Sequence, residues 1–328
     1  MRHNTAESAQ HPGLNGFGGS LAAKEKPDLR VLPSPFSSEH GRVLLCEDDS
    51  APAADLRSSL LDDSYDKPFI FEDGEVRYLY FSLHHIQSAM QIDQPDRLDL
   101  RYTQKMMAFL LFNPNPKNLL LFGLGGGSLT KFCYRHFPRT HIRAVEIDPN
   151  VIAMRDRFQI PPNDERLEII EDDAAHYIGV AAPGIDALLI DAFDRHGIAP
   201  ALTQRDFLES CLQKLSPSGV LVMNIADEKG KCEDLIALAR SVFDERIIVL
   251  PVEEDGNQIL FAFRNPQFWP RWRWLESQAK ALKTRFGLDF PHFLNKMERS
   301  VKRDLMARAN QAQPGMKKNF THSMSDPF

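Results

Sequence analysis

Asp191-Ala192-Phe193-Asp194 sets two carboxylates three positions apart, directly after the apolar run Ala187 to Ile190. Two acids in one loop make a negative pocket, which suits a cationic amine as one reactant and a sulfonium as the other. Alkyl transfer from a sulfonium needs in-line approach by a neutral nucleophile, yet an aliphatic amine with a pKa near ~10 arrives protonated. A neighbouring carboxylate can first bind the ammonium and then take its proton as general base. Capping of the loop by both aspartates is the competing structural explanation.

Further acids and a glycine cluster lie upstream. Gly123-Leu124-Gly125-Gly126-Gly127-Ser128 follows the apolar run Leu119 to Phe122 and opens a helical pattern. Glycines there let the chain turn sharply and let a ligand approach the backbone, although the same turn can serve tight strand-helix packing alone. Glu146 comes about twenty residues later, near the end of the run Ile142 to Ile147, where a carboxylate can accept both hydroxyls of a ribose. Asp173, after the run Leu167 to Ile170, can accept from an adenine amino group, or Asp172 and Asp173 can cap a helix from Ala174. Glycine loop and Glu146 alone would also fit an NAD-dependent oxidoreductase, but no convincing hydride-transfer residues accompany them.

Positioning these residues requires a particular architecture. Apolar runs alternating with helical segments predict a parallel sheet with crossover helices, and ligands bind outside the carboxyl ends of its strands. Val220 to Asn224 adds a fifth strand, and Ile247 to Val252 with Ile259 to Phe263 a terminal hairpin. The expected fold class is α/β: a seven-stranded Rossmann-like, methyltransferase-type sheet. A small antiparallel β unit precedes it, marked by Asp73-Gly74 between β-rich runs, and C-terminal helices follow. The domain reading is a disordered arm over 1–40, the β unit over 41–95, a nucleoside-binding transferase domain over 96–264, and a basic helical extension with a disordered tail over 265–328. Asp96 and Thr203 are the expected caps of helices carrying Leu98 to Leu110 and Phe207 to Leu215.

Composition bounds the remainder. The 328 residues carry a net charge of -6, 43% hydrophobic and 26% charged residues, values ordinary for a globular chain and contrary to a main business with nucleic acid. Cys46, Cys133, Cys211 and Cys232 are scattered, as expected of reduced thiols in the cytoplasm. No apolar run nears the ~18 residues of a membrane span, and His84, His85 and His196 lack metal-ligand spacing, so neither a membrane nor a metal is expected. Basic residues outnumber acids between Trp269 and Arg308, read as solvated faces of amphipathic helices, with a contact surface for an acidic partner or nucleic acid as the alternative.

Together these motifs resemble the spermidine synthase, or polyamine aminopropyltransferase, family over roughly Tyr65 to Phe263. Val145-Glu146-Ile147-Asp148 is similar to its V-E-I-D ribose motif, Asp172-Asp173-Ala174 to its adenine motif, and Asp191 with Asp194 to both aspartates of its D-S-S-D loop. The resemblance implies Asp191 and Asp194 as catalytic residues, with Asp191 the base. It also implies Gly123, Gly125, Gly126, Glu146, Asp148, Asp173 and Ala174 as the binding residues for S-adenosylmethionine or its decarboxylated form. It further implies a small-molecule amine acceptor and leaves room for a homodimer. Gly126 stands where the family's G-G-G-D-G loop has an aspartate that grips the donor's aminopropyl amine. That departure favours methyl transfer, because an aspartate would repel the carboxylate of intact S-adenosylmethionine. The alternatives are a methyltransferase of a non-polyamine substrate and a non-catalytic nucleotide-binding interaction protein.

Overall fold

The protein's computed structural model describes residues 29–36, 40–195, 197–226, 231–253 and 256–311. Its first unit is an antiparallel sheet of β1 (Arg30–Pro33), β2 (Arg42–Leu45), β3 (Phe69–Glu72), β4 (Val76–Ser82) and β5 (His85–Gln91), in that spatial order. Gly74, at φ +101, lies in the connection between β3 and β4, as the Asp-Gly pair predicts. Helix α1 (Ala53–Leu61), absent from the sequence reading, buries Leu56 and Leu60 against Val43, Leu45, Phe69 and Phe71. The expected arm over 1–40 needs correction at its end. Val31 and Leu32 pair with Leu44 and Val43, so the sheet recruits β1 from within it, while residues 1–28 and 37–39 lie outside the described residues.

The second unit holds β6 (Asn118–Phe122), β7 (His141–Glu146), β8 (Leu167–Glu171), β9 (Ile185–Ile190), the two-residue pair β10 (Phe193–Asp194) and β11 (Gly197–Ile198), β12 (Leu215–Ile225), β13 (Ile247–Pro251) and β14 (Gln258–Phe263). Seven of these form one sheet in the order β13-β14-β12-β9-β6-β7-β8, parallel except at β14. After β6 the chain builds outward through β7 and β8, then returns to the other side of β6 with β9 and β12. The crevice between β6 and β9 is therefore the topological switch point where such sheets take ligands.

Helices cover both faces. Ahead of β6, α2 (Arg101–Met106) runs into a 3-10 helix at Met107–Leu111 whose five residues are all fully buried. Five consecutive buried residues do not make one face of an amphipathic helix, which corrects the single helix expected from Asp96. Asp96 caps nothing; it pairs with Arg135 at 3.7 Å, and α2 begins after Leu100. Then come α3 (Ser128–His136), α4 (Pro149–Ala153), α5 (Ala174–Val180), α6 (Arg205–Lys214) and α7 (Lys231–Val242). Thr203 is not the cap of α6 either, its hydroxyl donating to the Pro200 carbonyl in the preceding 3-10 turn.

Helices α8 (Trp272–Phe286) and α9 (Phe290–Gln311) bury Leu275, Ala279, Leu282, Phe286, Phe290, Phe293, Leu294 and Met297 in the main core. Their basic side chains face outward, several paired with acids, including Lys283 with Asp289 at 2.9 Å and Lys302 with Glu298 at 2.7 Å. Gly287, at φ +72, ends α8, which accounts for the break seen in the sequence. The expected tail after Gln313 lies outside the described residues.

Lys131 on α3 is 3% exposed and donates to the Phe158 carbonyl at 2.7 Å and to Met90 Sδ at 3.0 Å. Burial pushes its pKa down to about 7. Its folded pKa lies below the unfolded value, so stability rises as pH climbs from about 7 towards the ordinary lysine value, by up to about 1.4 kcal/mol per pH unit. Urea unfolding at pH 7 and pH 9.5 should show this gain in the native chain and not in Lys131→Met. Parallel pH profiles for the two proteins would refute it.

Candidate active site

Strand register alone assembles the site. Phe122 is level with Val145 on one side and Ile190 on the other, Glu146 with Glu171, and Met223 with Ile190. The residues just beyond these pairs form one row along the carboxyl edge: Asp172, Glu146, Gly123, Asp191 and Asn224. Backbone bonds tie the row together, from Gly123 N to Val145 O at 2.9 Å, Asp191 N to Phe122 O at 2.9 Å and Asp172 N to Glu146 O at 3.1 Å.

A cavity of about 760 Å³ opens over this row. Gly123, Gly125, Gly126, Glu146, Asp173, Ala174, Asp191 and Asp194 all line it, so eight of the nine residues singled out from sequence converge. Asp148 does not join them. Its Oδ1 accepts from Asn150 N at 2.8 Å as the cap of α4, a local use that competes with ligand binding.

Glu146 is 9% exposed and accepts from the backbone of Leu124 at 2.9 Å and Asp148 at 3.0 Å. Burial raises its pKa, and those backbone donors act in the opposite direction. Asp173 caps α5 through His176 N at 2.9 Å and still lines the cavity, so capping and binding are compatible there.

Asp191 is half-buried, and its Oδ1 accepts from Asn224 Nδ2 at 2.9 Å. Asn224 Oδ1 in turn accepts from Asn257 Nδ2 at 3.0 Å, so two amides in series orient the carboxylate. Burial pushes the Asp191 pKa up to about 6, against the lowering effect of hydrogen bonds from Asn224 and Tyr102. Asp194 sits on the β10–β11 ribbon, more exposed than Asp191. The next residue, Arg195, donates to the carbonyls of Asp63, Tyr65 and Phe81, tying this ribbon to the first unit.

Sequence reasoning missed Asn224 and Asn257 and left Tyr102 outside the site. Asn224 had a usable signal, since it ends an apolar strand at the same position as the acids. Gln87 and Ser88 of β5 also line the cavity, a contribution from the first unit that no local pattern announces. Among the described residues no cluster of three or more metal-ligating side chains occurs, and no helix is long and apolar enough to cross a membrane.

The spermine/spermidine synthase domain profile matches residues 100–244. A polyamine aminopropyltransferase of Chromobacterium violaceum is 40% identical over 232 residues, covering 70% of this chain and 89% of that protein. The chain belongs to the spermine/spermidine synthase family. It is thereby a transferase. Methyl-transferring proteins are similar to it as well. The human eEF1A lysine and N-terminal methyltransferase is 30% identical over 216 residues, 59% of this chain and 31% of that protein. The crystal structure of human Methyltransferase-like protein 13 in complex with SAH superposes with a TM-score of 0.53 at 28% identity, covering 57% of this chain and 92% of that one. The chain is thus similar both to a polyamine aminopropyltransferase and to methyltransferases.

Proposed function

We propose that this protein transfers an alkyl group from an S-adenosylmethionine-type sulfonium to an amine, with Asp191 as general base. The observation that carries the reading is a half-buried carboxylate at the switch point, oriented by Asn224 and in the same cavity as Glu146 and Asp173. Glu146 would hold the ribose hydroxyls, Asp173 the adenine amine, and Asp194 would help dock the acceptor's ammonium. The family's small-molecule amine acceptors support an amine here too. The scattered spacing of Cys46, Cys133, Cys211 and Cys232 supports a cytoplasmic place.

Asp191 takes a proton from the bound ammonium; the freed nitrogen lone pair attacks carbon on the sulfonium; the C–S pair leaves with sulfur, which becomes a neutral thioether. A proton moving from an amine of pKa ~10 to an ordinary aspartate at ~3.9 climbs about 8 kcal/mol. With Asp191 at about 6 the climb falls to about 5 kcal/mol, so burial of the carboxyl contributes roughly 3 kcal/mol to this step. The first unit would close the cavity, and the C-terminal helices would serve as its support.

Thermal unfolding with methylthioadenosine and with NADH tests the pocket. The adenosyl ligand at 100 times its dissociation constant should stabilise by about 2.7 kcal/mol, and NADH should not. Adenosyl binding with no alkylated product from any amine would leave a nucleotide-binding protein instead of an enzyme at this site.

A further inference from the structure

A sulfonium donor has three arms, and the cavity has three walls. Glu146 and Asp173 form the wall for the adenosyl arm. Asp191 and Asp194 form the wall where an acceptor attacks. The third wall is the corner where β5 meets the start of α3, made of Gln87, Ser88, Gly126 and Ser128. The remaining arm of the donor must point there.

That corner has no ionisable side chain in its lining, and the space beside Gly126 is closed to one. Ser88, 4% exposed, has its Oγ 3.2 Å from Ser128 Oγ. A Cβ at Gly126 would stand 2.5 Å from Ser88 Oγ, 2.9 Å from Ser88 Cβ and 2.9 Å from Phe158 Cδ1. No side chain fits at 126 unless this wall moves, and the wall is braced. Lys131 bonds both the Phe158 carbonyl and Met90 Sδ, joining the residue behind Gly126 to the strand that carries Ser88. The acids among the described lining residues, Glu146, Asp172, Asp173, Asp191 and Asp194, lie at the ends of β7, β8 and β9 or on β10, and none is on β5 or α3.

The two donors differ only in this arm. Decarboxylated S-adenosylmethionine ends in a bare ammonium, which needs an anion beside it. Intact S-adenosylmethionine ends in an ammonium and a carboxylate, and the carboxylate can accept from two serine hydroxyls. The first turn of α3 adds backbone N–H groups that no side chain caps. We propose that Ser88, by occupying the space beside Gly126, is a specificity-determining residue that selects intact S-adenosylmethionine, so that the group transferred to the amine is methyl. Nitrogen then attacks the methyl carbon, the methyl C–S bond breaks, and S-adenosylhomocysteine leaves. This rests on the donor pocket proposed above.

Calorimetric titration of the full chain with S-adenosylmethionine, its decarboxylated form and methylthioadenosine separates the two. Methylthioadenosine lacks the third arm and reports the nucleoside pocket alone. The expected result is at least tenfold tighter binding of S-adenosylmethionine than of the decarboxylated form. Ser88→Ala should shrink that ratio at least threefold and leave methylthioadenosine unchanged. The double variant Ser88→Gly/Gly126→Asp, which clears both Ser88 contacts and leaves only the Phe158 ring edge to shift, should favour the decarboxylated donor. Equal or tighter binding of the decarboxylated donor by the native chain, with methylthioadenosine bound, overturns the methyl assignment alone. Absence of binding by methylthioadenosine as well overturns the pocket and this inference together.

Discussion

Asp191→Asn is expected to lower turnover by about 10² to 10⁴-fold, the range typical of a lost general base, while leaving the affinity for methylthioadenosine near that of the native chain. Asparagine keeps the size of the side chain and can still accept from Asn224. It cannot hold the acceptor's proton. The native rate should fall as pH drops through about 6, where the Asp191 carboxylate is protonated, and this acid limb should vanish from the residual activity of the variant. Stability should move the other way. Asp191 has a folded pKa above its unfolded value, so its ionisation removes stability as pH rises from the ordinary aspartate value through about 6. A neutral amide avoids that loss, and Asp191→Asn should unfold at higher denaturant concentration at pH 7, by at most about 3 kcal/mol. A slower enzyme that is also less stable would contradict the picture of a carboxylate held charged against its surroundings. Full turnover would remove the base assignment.

Gly123→Ala should damage fold and site together. Gly123 adopts φ +91, and a Cβ there would lie 2.1 Å from the Asp191 carbonyl oxygen and 2.8 Å from its carbon. Both obstacles are backbone, and β9 is clamped in the middle of the sheet, so neither can swing aside. Gly125 is the control: its φ is +51, but an added Cβ meets nothing within 4 Å. Alanine at 125 should cost only the left-handed backbone, about 1–2 kcal/mol, whereas alanine at 123 should exceed about 4 kcal/mol and displace the Asp191 peptide. Chemical denaturation of both variants, with methylthioadenosine binding as a second readout, decides it. Equal losses at the two glycines would mean that backbone conformation alone, not contact with Asp191, makes position 123 a glycine.

Much of this arrangement was legible because strand ends in parallel sheets announce themselves. An apolar run followed by acids or glycines needs no knowledge of its neighbours, and four such runs put Gly123, Glu146, Asp173 and Asp191 on one edge. Asp148 has a local use, since the turn after a strand serves equally to start a helix, and its carboxylate caps α4 outside the cavity lining. Asn224 and Asn257 escaped because their meaning depends on which strands are adjacent. Asn224 reaches Asp191 only through the β9–β12 pairing, and Asn257 only through the antiparallel return of β14. The wall at Gly126 was legible as a missing aspartate, but not as a filled space, because Ser88 comes from a different sheet. Strand β1 was hidden by the short, polar setting of Val31 and Leu32.

The order in which β6, β7, β8, β9 and β12 join the sheet also bears on when this protein acquires its site. Gly123 and Asn224 are neighbours of Asp191 in space, yet a ribosome must deliver everything up to β12 before the row exists, and β14 must fold back before Asn257 can brace it. Long-range parallel pairing is the slow part of folding, and here it is also the part that makes the crevice. A nascent chain that stops short of β12 therefore has its acids but only half of the crevice, without the Asn224 that orients Asp191. Captured donor is a signal that the central sheet has closed, and the cell's own pool of ligand would favour finished molecules over unfinished ones.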